Sequence, residues 1–170
     1  MDPIIDVLVE TTQGSKHKYE YDHQRRAMRL DRRLYSAVSF PADYGFVAGT
    51  KGADGEPLDA LVLLEDPTFP GCWVRARVVG VFWIRYDKEG ESRREAKLIT
   101  VAEGDPNFEE VQDLDQLPDH LLSELENFFD VYKMLEPGTS PVPDGYEGRQ
   151  AALREVEAAR DRAGRPPAPE

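Results

Sequence analysis

Three carboxylates surround a short turn in the stretch "GADGEPLDALVLLEDP", residues 52–67. Asp54, Glu56 and Asp59 lie within six positions of one another, and an aliphatic run follows them directly. Carboxylates held this close repel one another unless a cation lies between them. Oxygen ligands of this kind suit Mg²⁺, which keeps several of its waters and is held by only a few carboxylates. The stretch therefore predicts a divalent-cation site at the end of a buried strand.

Solvent exposure or a calcium site could also account for these acids. In a chain of which 32% is charged, most single carboxylates simply face water. Calcium is an alternative cation, although the loop lacks the ligand spacing of a twelve-residue EF-hand. The D-x-x-x-x-D spacing of Asp54 and Asp59, beside a buried strand, favours the inward-facing ion site.

Acidic and basic side chains share faces in two further segments. In "KYEYD", Lys18 and Glu20 lie two residues apart, so they point to the same face of a strand. In "YDKEGESRREAKL", Asp87 precedes a turn, and Glu95 and Lys97 share a face after it. Such acids can hold divalent ions while lysines neutralise the outer oxygens of a phosphate. Cross-strand surface salt bridges account for the pair of Lys18 and Glu20 equally well.

The elements that must position these side chains are mainly strands. From Ile4 to about Val101 the sequence consists of short alternating or β-branched segments, such as "IDVLVE" and "WVRARVVGVFWIRYD". Turn signals rich in Gly, Pro and Asp separate them. This spacing predicts a small barrel or sandwich.

The pattern becomes helical after Gly104. Apolar residues at three- and four-residue steps in "LPDHLLSELENFFDVYKML" predict an amphipathic helix that starts near Pro118. A second helix is expected from about Tyr146 to Ala163, packed along the surface through an alanine-rich stripe. We expect residues 1–163 to form one domain, followed by a disordered Pro-rich tail over residues 164–170.

The composition excludes several classes of protein. The chain of 170 residues carries 21 basic and 33 acidic residues, a formal net charge of -12. Nucleic-acid binding normally needs a basic face, so this partner is excluded. A single cysteine, Cys72, excludes an intrachain disulfide and fits a reducing compartment. With no apolar run of membrane-spanning length and no leader pattern at the N-terminus, we expect a cytoplasmic protein with no membrane partner.

Taken together, these segments resemble the family I soluble inorganic pyrophosphatases. The family pattern D-G-D-P-x-D appears here as "DGEPLD", K-Y-E-x-D as "KYEYD", and Y-P-x-x-Y-G-F as "FPADYGF". The segment "LDR", which ends at Arg32, and the segment "NFFDVYKMLE" match two more family motifs. The five motifs occur in the family order between about Val7 and Gly148, which is far more specific than any single motif.

The resemblance implies a fold, an activity and an assembly. The fold is mainly β with flanking helices (α+β), a five-stranded closed β-barrel of the OB type with two helices near the C-terminus. The activity is hydrolysis of inorganic pyrophosphate to two phosphates by a metal-activated water. The mouth of the barrel would bind three to four Mg²⁺ ions, with Mn²⁺ as an alternative metal. The assembly would be a homo-oligomer, and bacterial family members are typically hexamers.

The resemblance also assigns roles to individual residues. The implied metal ligands are the acids of the segments above: Asp54, Asp59, Asp87, Glu95 and Glu20. Glu10 would lie behind these ligands as a further acid. The implied catalytic residues are Glu56, Tyr44 and Arg32, with Glu56 at the position of a general base. The implied substrate-binding residues are cations and tyrosines: Lys18, Arg32, Tyr44, Lys97, Tyr132 and Lys133.

Four positions depart from the family pattern. Glu56 and Glu95 stand where the family has Asp, Phe40 where it has Tyr, and Thr139 where it has Lys. One additional methylene moves a carboxylate by about 1 Å, a displacement that can cost about 100-fold in rate. We therefore expect lower turnover or a different metal preference. A longer loop before Glu95 also leaves Glu91 as an alternative to it. An organic diphosphate substrate, or a non-catalytic phosphate- or metal-binding relative, remains an alternative function.

Overall fold

The computed structural model describes residues 3–138 and 140–164. Thr139 and the greater part of the predicted Pro-rich tail, residues 165–170, lie outside the described residues. Within them the chain forms eight strands and two α-helices, with a short 3-10 helix, Leu114–Gln116, before the first α-helix. In chain order these are β1 Ile4–Thr11, β2 His17–Asp22, β3 Ala27–Arg33, β4 Asp43–Val47, β5 Asp59–Leu63, β6 Trp73–Lys88, β7 Glu91–Ala102, α1 Asp119–Val131, β8 Val142–Gly148 and α2 Arg149–Ala163.

Five strands close into a ring. Strand β1 pairs with β4 on one side and with β6 on the other, and the order around the ring is β1, β4, β5, β7, β6. All of these pairs are antiparallel except β5 with β7, which are parallel. Strand β8 adds to the free side of β6, and β2 with β3 forms a separate hairpin. The expected mainly-β fold, with five strands in a closed OB-type arrangement and two helices, is confirmed.

Alternate side chains of the ring enter two hydrophobic clusters. Leu61 of β5 belongs to a cluster that contains Phe129 of α1. Its neighbour Val62 belongs to a second cluster that contains Val156 of α2. Because successive strand residues point to opposite faces, one strand packs against both helices. This explains why "DALVL" is apolar at every position after Asp59, as expected for a parallel strand covered on both faces.

The helices lie close to where the sequence predicts them. Helix α1 begins at Asp119, with Pro118 as its N-cap residue. Helix α2 begins at Arg149, so its predicted start at Tyr146 is wrong. Residues 142–148 instead pair with β6, and the Tyr146 hydroxyl donates to the Leu122 carbonyl at 2.7 Å, which holds this segment extended. Among the described helices, none has the length and apolar character needed to cross a membrane.

Strands β6 and β7 form a long ribbon. Their antiparallel register continues to the pair of Lys88 and Glu91, joined by the two-residue turn of Glu89 and Gly90. Both turn residues have positive φ, +51° and +82°, as a tight hairpin turn requires. The longer loop noted in the sequence is therefore additional ribbon, and it fixes which side chains of β6 and β7 face each other.

Candidate active site

Most of the predicted site residues line one cavity of about 550 Å³. It forms where β1, β2, β4, β5 and the β6–β7 ribbon meet the loop before β5 and the segment that follows α1. The predicted site residues in its lining are Lys18, Glu20, Tyr44, Asp54, Glu56, Asp59, Glu95, Lys97, Tyr132 and Lys133, and Glu10 lines it as well.

The parallel pairing of β5 with β7 places Asp59 directly opposite Lys97. The Lys97 ammonium donates a hydrogen bond to the Asp59 carboxylate Oδ2. Burial is the largest single effect on Lys97 and lowers its pKa, but the charge of Asp59, its hydrogen bond and the nearby tyrosines together hold this pKa well above its usual value. Lys97 is therefore a buried, permanently charged cation at the floor of the cavity.

Negative charge is crowded beside this pair. The Glu10 carboxylate Oε2 accepts a hydrogen bond from the Tyr21 backbone N–H at 2.7 Å. Burial, together with the charges of Asp59 and Glu20, raises the pKa of Glu10 to about 7 against the effect of that hydrogen bond. A carboxyl group that keeps its proton near neutral pH, because it is buried among negative neighbours, marks a place where a cation would be stabilised.

The loop before β5 brings two more carboxylates to the rim. The Asp54 carboxylate Oδ1 accepts from the Glu56 backbone N–H at 3.0 Å, and Gly55 between them has a φ of +88°. This local turn holds Asp54 and Glu56 at the cavity. Among the described residues the Glu56 carboxylate has no hydrogen-bond or ion-pair partner, so it is free to accept a proton.

The ribbon contributes a row of alternating charges. Glu95 lies between two cations, 2.6 Å from Arg93 Nη2 and 3.8 Å from Lys97 Nζ. Glu91, the alternative considered for this position, is exposed and pairs across the ribbon with Lys88. The structure thus brings Glu95 to the cavity and leaves Glu91 at the tip of the ribbon.

Two further lysines, Lys18 and Lys133, line the cavity. Lys18 Nζ lies 2.9 Å from Glu20 Oε1 and 3.9 Å from Asp31 Oδ2. Lys133 has no carboxylate within ion-pair distance among the described residues. Burial lowers the pKa of Lys133, and the nearby charges of Lys18 and Lys97 lower it further. Lys133 is the cation of this cavity with the most to gain from a bound anion.

Three tyrosines surround the buried end of the cavity. Burial raises the pKa of Tyr44, Tyr132 and Tyr86, the first two well above the usual value. These hydroxyls therefore stay protonated and can donate hydrogen bonds to an anion. Phe40 packs against Tyr44 with ring centroids 5.7 Å apart and lines the same wall without a hydroxyl.

Two predicted site residues are not among the described residues that line the cavity. Asp87 is the predicted metal ligand that the structure leaves outside, because strand side chains alternate and Tyr86 takes the inward position. The Asp87 carboxylate accepts from Arg85 Nε at 3.0 Å and from Ser92 Oγ at 2.7 Å on the opposite face.

Arg32 is the second such residue. Its guanidinium is held by Glu136, with Nε to Oε1 at 2.6 Å and Nη2 to Oε2 at 3.1 Å, and it also donates to Asp31. Burial lowers the pKa of Arg32. The interactions of Arg32 with Glu136 and Asp31, of which the hydrogen bond to Glu136 is the strongest, outweigh burial and raise this pKa. Its charge reaches the site indirectly, since it contributes to the lowered pKa of Lys133.

The sequence interpretation missed several lining residues. Arg93 and Tyr86 face the cavity from the ribbon, directly opposite each other, and Tyr21 and Phe46 contribute aromatic walls. Counting back from Lys97 in steps of two finds Glu95 and then Arg93, so strand alternation carried this signal. His23, which directly follows the segment "KYEYD", is exposed and also lines the cavity.

The residues present fit a hard divalent cation. Carboxylates supply the oxygens, and the raised pKa of Glu10 is consistent with uncompensated negative charge. Within residues 3–138 and 140–164, no group of three or more acids, histidines or cysteines converges on one metal-sized point. Asp59, Glu20 and Glu95 instead contact lysines and arginines, so a metal ion would exchange with these cations.

Comparison with known proteins identifies the family of the chain. Residues 7–164 match the family model for inorganic pyrophosphatase. The inorganic pyrophosphatase of Streptomyces coelicolor is 44% identical over 152 residues, which cover 89% of this chain and 91% of the relative. The inorganic pyrophosphatase of Methanosarcina mazei is 40% identical over 156 residues, 92% of this chain and 89% of the relative.

Solved structures give the same result. The crystal structure of inorganic pyrophosphatase from Thermus thermophilus superposes with a TM-score of 0.89 at 38% identity, covering 95% of this chain and 91% of the other. The family match extends over the ring of strands, the cavity and both helices. The chain therefore belongs to the inorganic pyrophosphatase family.

Proposed function

We propose that this protein hydrolyses inorganic pyrophosphate to two phosphates. The observation that carries the proposal is the cavity in which Asp59 and Lys97 are paired, lined by further acids and by Lys18 and Lys133. An anion with several charges needs both components: cations that contact it directly, and acids that hold further cations around it. Family membership supports the same substrate.

The proposed cofactor is Mg²⁺, at three to four ions per site, with Mn²⁺ as the alternative. The residues that would hold these ions are Asp54, Asp59, Glu20 and Glu95, with Glu10 behind them. When bound, the ions supply the positive charge that an acidic cavity needs to accept an anion, and they acidify water at neutral pH. The all-oxygen donor set supports Mg²⁺ over metals that select histidine or cysteine.

The lysines and tyrosines bind and orient the phosphates. Lys133 has no ion-pair partner among the described residues, so a phosphate oxygen gives its partly buried charge a partner. Lys18 and Lys97 add positive charge where negative charge develops on the transferred phosphoryl group. The hydroxyls of Tyr44 and Tyr132 remain protonated and donate hydrogen bonds. These groups fix the substrate in line for attack, which is the main contribution a protein makes to phosphoryl transfer.

Glu56 is the proposed general base. A water oxygen attacks one phosphorus, the bond from that phosphorus to the bridging oxygen breaks, and the leaving phosphate keeps the electron pair. The proton of the water passes to the Glu56 carboxylate, which lines the cavity and has no competing partner among the described residues. Arg32, bound to Glu136 in this structure, contributes positive charge near Lys133 from outside the lining.

The test is release of phosphate from pyrophosphate by the purified chain, measured with Mg²⁺, with Mn²⁺ and after chelation of metals. We expect turnover with either metal and none after chelation. The same assay is run on an organic diphosphate such as a nucleoside diphosphate. Release only from the organic substrate, or release from neither, would contradict the proposal.

The proposal also includes a cytoplasmic homo-oligomer, a hexamer as the family resemblance implies. Support comes from exposed apolar side chains outside the cavity, among them Phe69 and Trp73. Large exposed aromatic side chains are typical of surfaces that become covered in an assembly. Light scattering coupled to size-exclusion chromatography measures the mass directly, and a monomer of 19.2 kDa at micromolar concentration would contradict this part.

A further inference from the structure

Arg93 is a cavity residue without an assigned role. It lies on β7, opposite Tyr86 of β6, and its guanidinium carbon is 5.5 Å from the centre of the Tyr86 ring. Its Nη2 donates to Glu95 Oε1 at 2.6 Å. The Arg93 side chain is 56% exposed, whereas that of Glu95 is 12% exposed. One edge of the guanidinium is thus bound to Glu95, and the rest is open toward the cavity.

Arg93 and a divalent ion compete for the carboxylate of Glu95. A guanidinium has five donors and no acceptor, so it occupies a carboxylate oxygen without being able to ligate a metal. A metal ion bound at Glu95 would also be repelled by a guanidinium held 2.6 Å from that carboxylate. Binding of an ion there therefore requires Arg93 to turn away or to share the carboxylate.

A released Arg93 has a suitable partner within the same cavity. Guanidinium groups bind phosphate oxygens through two parallel hydrogen bonds, more specifically than an ammonium does. Lys133, a proposed phosphate ligand, lies close to Arg93, because its ammonium nitrogen is 5.7 Å from the centre of the same Tyr86 ring. The side chain of Arg93 is long, more than half exposed and held by one carboxylate, so a change of rotamer can bring it to a phosphate bound at Lys133.

We propose that Arg93 is an exchanging cation, which pairs with Glu95 in the metal-free protein and transfers to a phosphate oxygen of the substrate when a divalent ion binds to Glu95. This inference rests on the proposed function, because it uses Glu95 as a metal ligand. It assigns Arg93 two effects of opposite sign: it weakens metal binding before substrate arrives, and it strengthens binding of the substrate afterwards.

The opposite signs make the proposal testable by binding as well as by rate. Arg93→Gln removes the charge, Arg93→Lys keeps it without the planar fork, and Arg75→Gln removes one positive charge on β6 outside the cavity lining. Binding of Mg²⁺ to metal-stripped protein is measured by calorimetry without phosphate. Binding of inorganic phosphate is then measured at saturating Mg²⁺, together with kcat and KM for pyrophosphate.

We expect Arg93→Gln to bind Mg²⁺ at least about 3-fold more tightly, because a competing positive charge is gone. Its affinity for phosphate should fall by about 10-fold or more, and its KM for pyrophosphate should rise by a similar factor, because a charge-assisted hydrogen bond is lost. Arg93→Lys should lie between Arg93→Gln and the unmodified protein, and Arg75→Gln should match the unmodified protein. The proposal would be overturned if Arg93→Gln changed the affinities for Mg²⁺ and for phosphate in the same direction. It would also be overturned if neither affinity changed by more than about 2-fold.

A further variant separates this inference from the proposed function. Glu95→Gln should weaken Mg²⁺ binding in the same calorimetric titration if Glu95 is a ligand. If Glu95→Gln leaves Mg²⁺ affinity unchanged, the ligand role and the exchange are both overturned, whereas pyrophosphate turnover by the unmodified protein still stands on its own assay. If Glu95→Gln weakens metal binding but Arg93→Gln does not tighten it, only the exchange is overturned.

Discussion

Lys97 of β7 and Asp59 of β5 face each other across the only parallel strand pair of the described ring, and the buried Lys97 ammonium donates to the Asp59 carboxylate. This pair joins two segments that are 38 positions apart in the chain. It also combines the two functions of the cavity, since Asp59 is a proposed metal ligand and Lys97 a proposed phosphate ligand. Loss of either partner should therefore affect stability and activity together.

Replacement of Lys97 by Met should destabilise the metal-free protein more than the magnesium-loaded protein. Without Lys97, Asp59 keeps a partly buried charge with no cationic partner, which we expect to lower the free energy of unfolding by about 2 kcal/mol in a chelator. A divalent ion would neutralise the same carboxylate, so the loss should be smaller with Mg²⁺. Urea denaturation with and without Mg²⁺ measures both values.

The matched control is Lys88→Met, at the exposed end of the ribbon, which should change neither value by more than about 0.5 kcal/mol. The double variant K97M/D59N should regain part of the stability in chelator, because no unpaired charge remains. An equal loss with and without Mg²⁺ would show that Asp59 does not bind the metal.

Glu56 should be required for turnover as a carboxylate, and a shorter carboxylate should serve at least as well. Glu56→Asp restores the family residue and should keep or raise kcat. Glu56→Gln cannot accept a proton and should lower kcat by about 10²- to 10⁴-fold. Initial rates of phosphate release at saturating Mg²⁺ and pyrophosphate give these ratios. Glu157→Gln, on the exposed side of α2, is the matched control. A fully active Glu56→Gln enzyme would remove Glu56 from the mechanism.

Glu10 should make the metal-free protein less stable as pH rises toward 7. The pKa of Glu10 is raised from 4.5 to about 7 in the folded protein. Between these values the folded state holds a proton that the unfolded state has lost, so the free energy of unfolding falls with increasing pH. The full shift corresponds to a penalty of about 3 kcal/mol at most, complete above about pH 7.

Glu10→Gln removes this penalty. In a chelator its stability relative to the unmodified protein should rise by up to about 3 kcal/mol between about pH 5 and pH 8, with little difference at the lower pH. Gln keeps an oxygen that can accept from the Tyr21 N–H, so the hydrogen bond at 2.7 Å survives. Parallel pH profiles for the two proteins would contradict the raised pKa.

Asp87→Asn should leave the magnesium requirement within about 2-fold of the unmodified enzyme, although the family motif marks Asp87 as a ligand. In the structure its carboxylate contacts Arg85 and Ser92 on the face of the ribbon away from the cavity. Glu95→Gln is the matched comparison, for which we expect at least about a 10-fold higher requirement. The dependence of activity on Mg²⁺ concentration measures both, and a larger effect at Asp87 would show a different ribbon register in solution.

Features set by neighbouring residues could be predicted from the sequence. The apolar periodicity and Pro118 located α1, and the turn residues around Gly55 located the acidic loop before β5. The motifs indicated the family and, with it, the closed arrangement of five strands. Residue type and local spacing indicated the acids of the loop before β5 and the charged residues of β2 and β7, because strand alternation and turn chemistry act over only a few positions. Tyr44, Tyr132 and Lys133 were indicated only by the family resemblance.

The tertiary structure decided which distant groups meet. Hairpin register turned Tyr86 toward the cavity and Asp87 away from it, and a shift of one residue reverses the face of every side chain on a strand. Pairing with β6 likewise kept Tyr146 in a strand although its local sequence favoured a helix. The contacts of Arg93 with Glu95 and Arg32 with Glu136 depend on where strands and loops come together, which no short sequence window contains. The sequence alone thus determined the chemistry available to this protein, and the long-range pairing of strands decided which of those groups share a cavity.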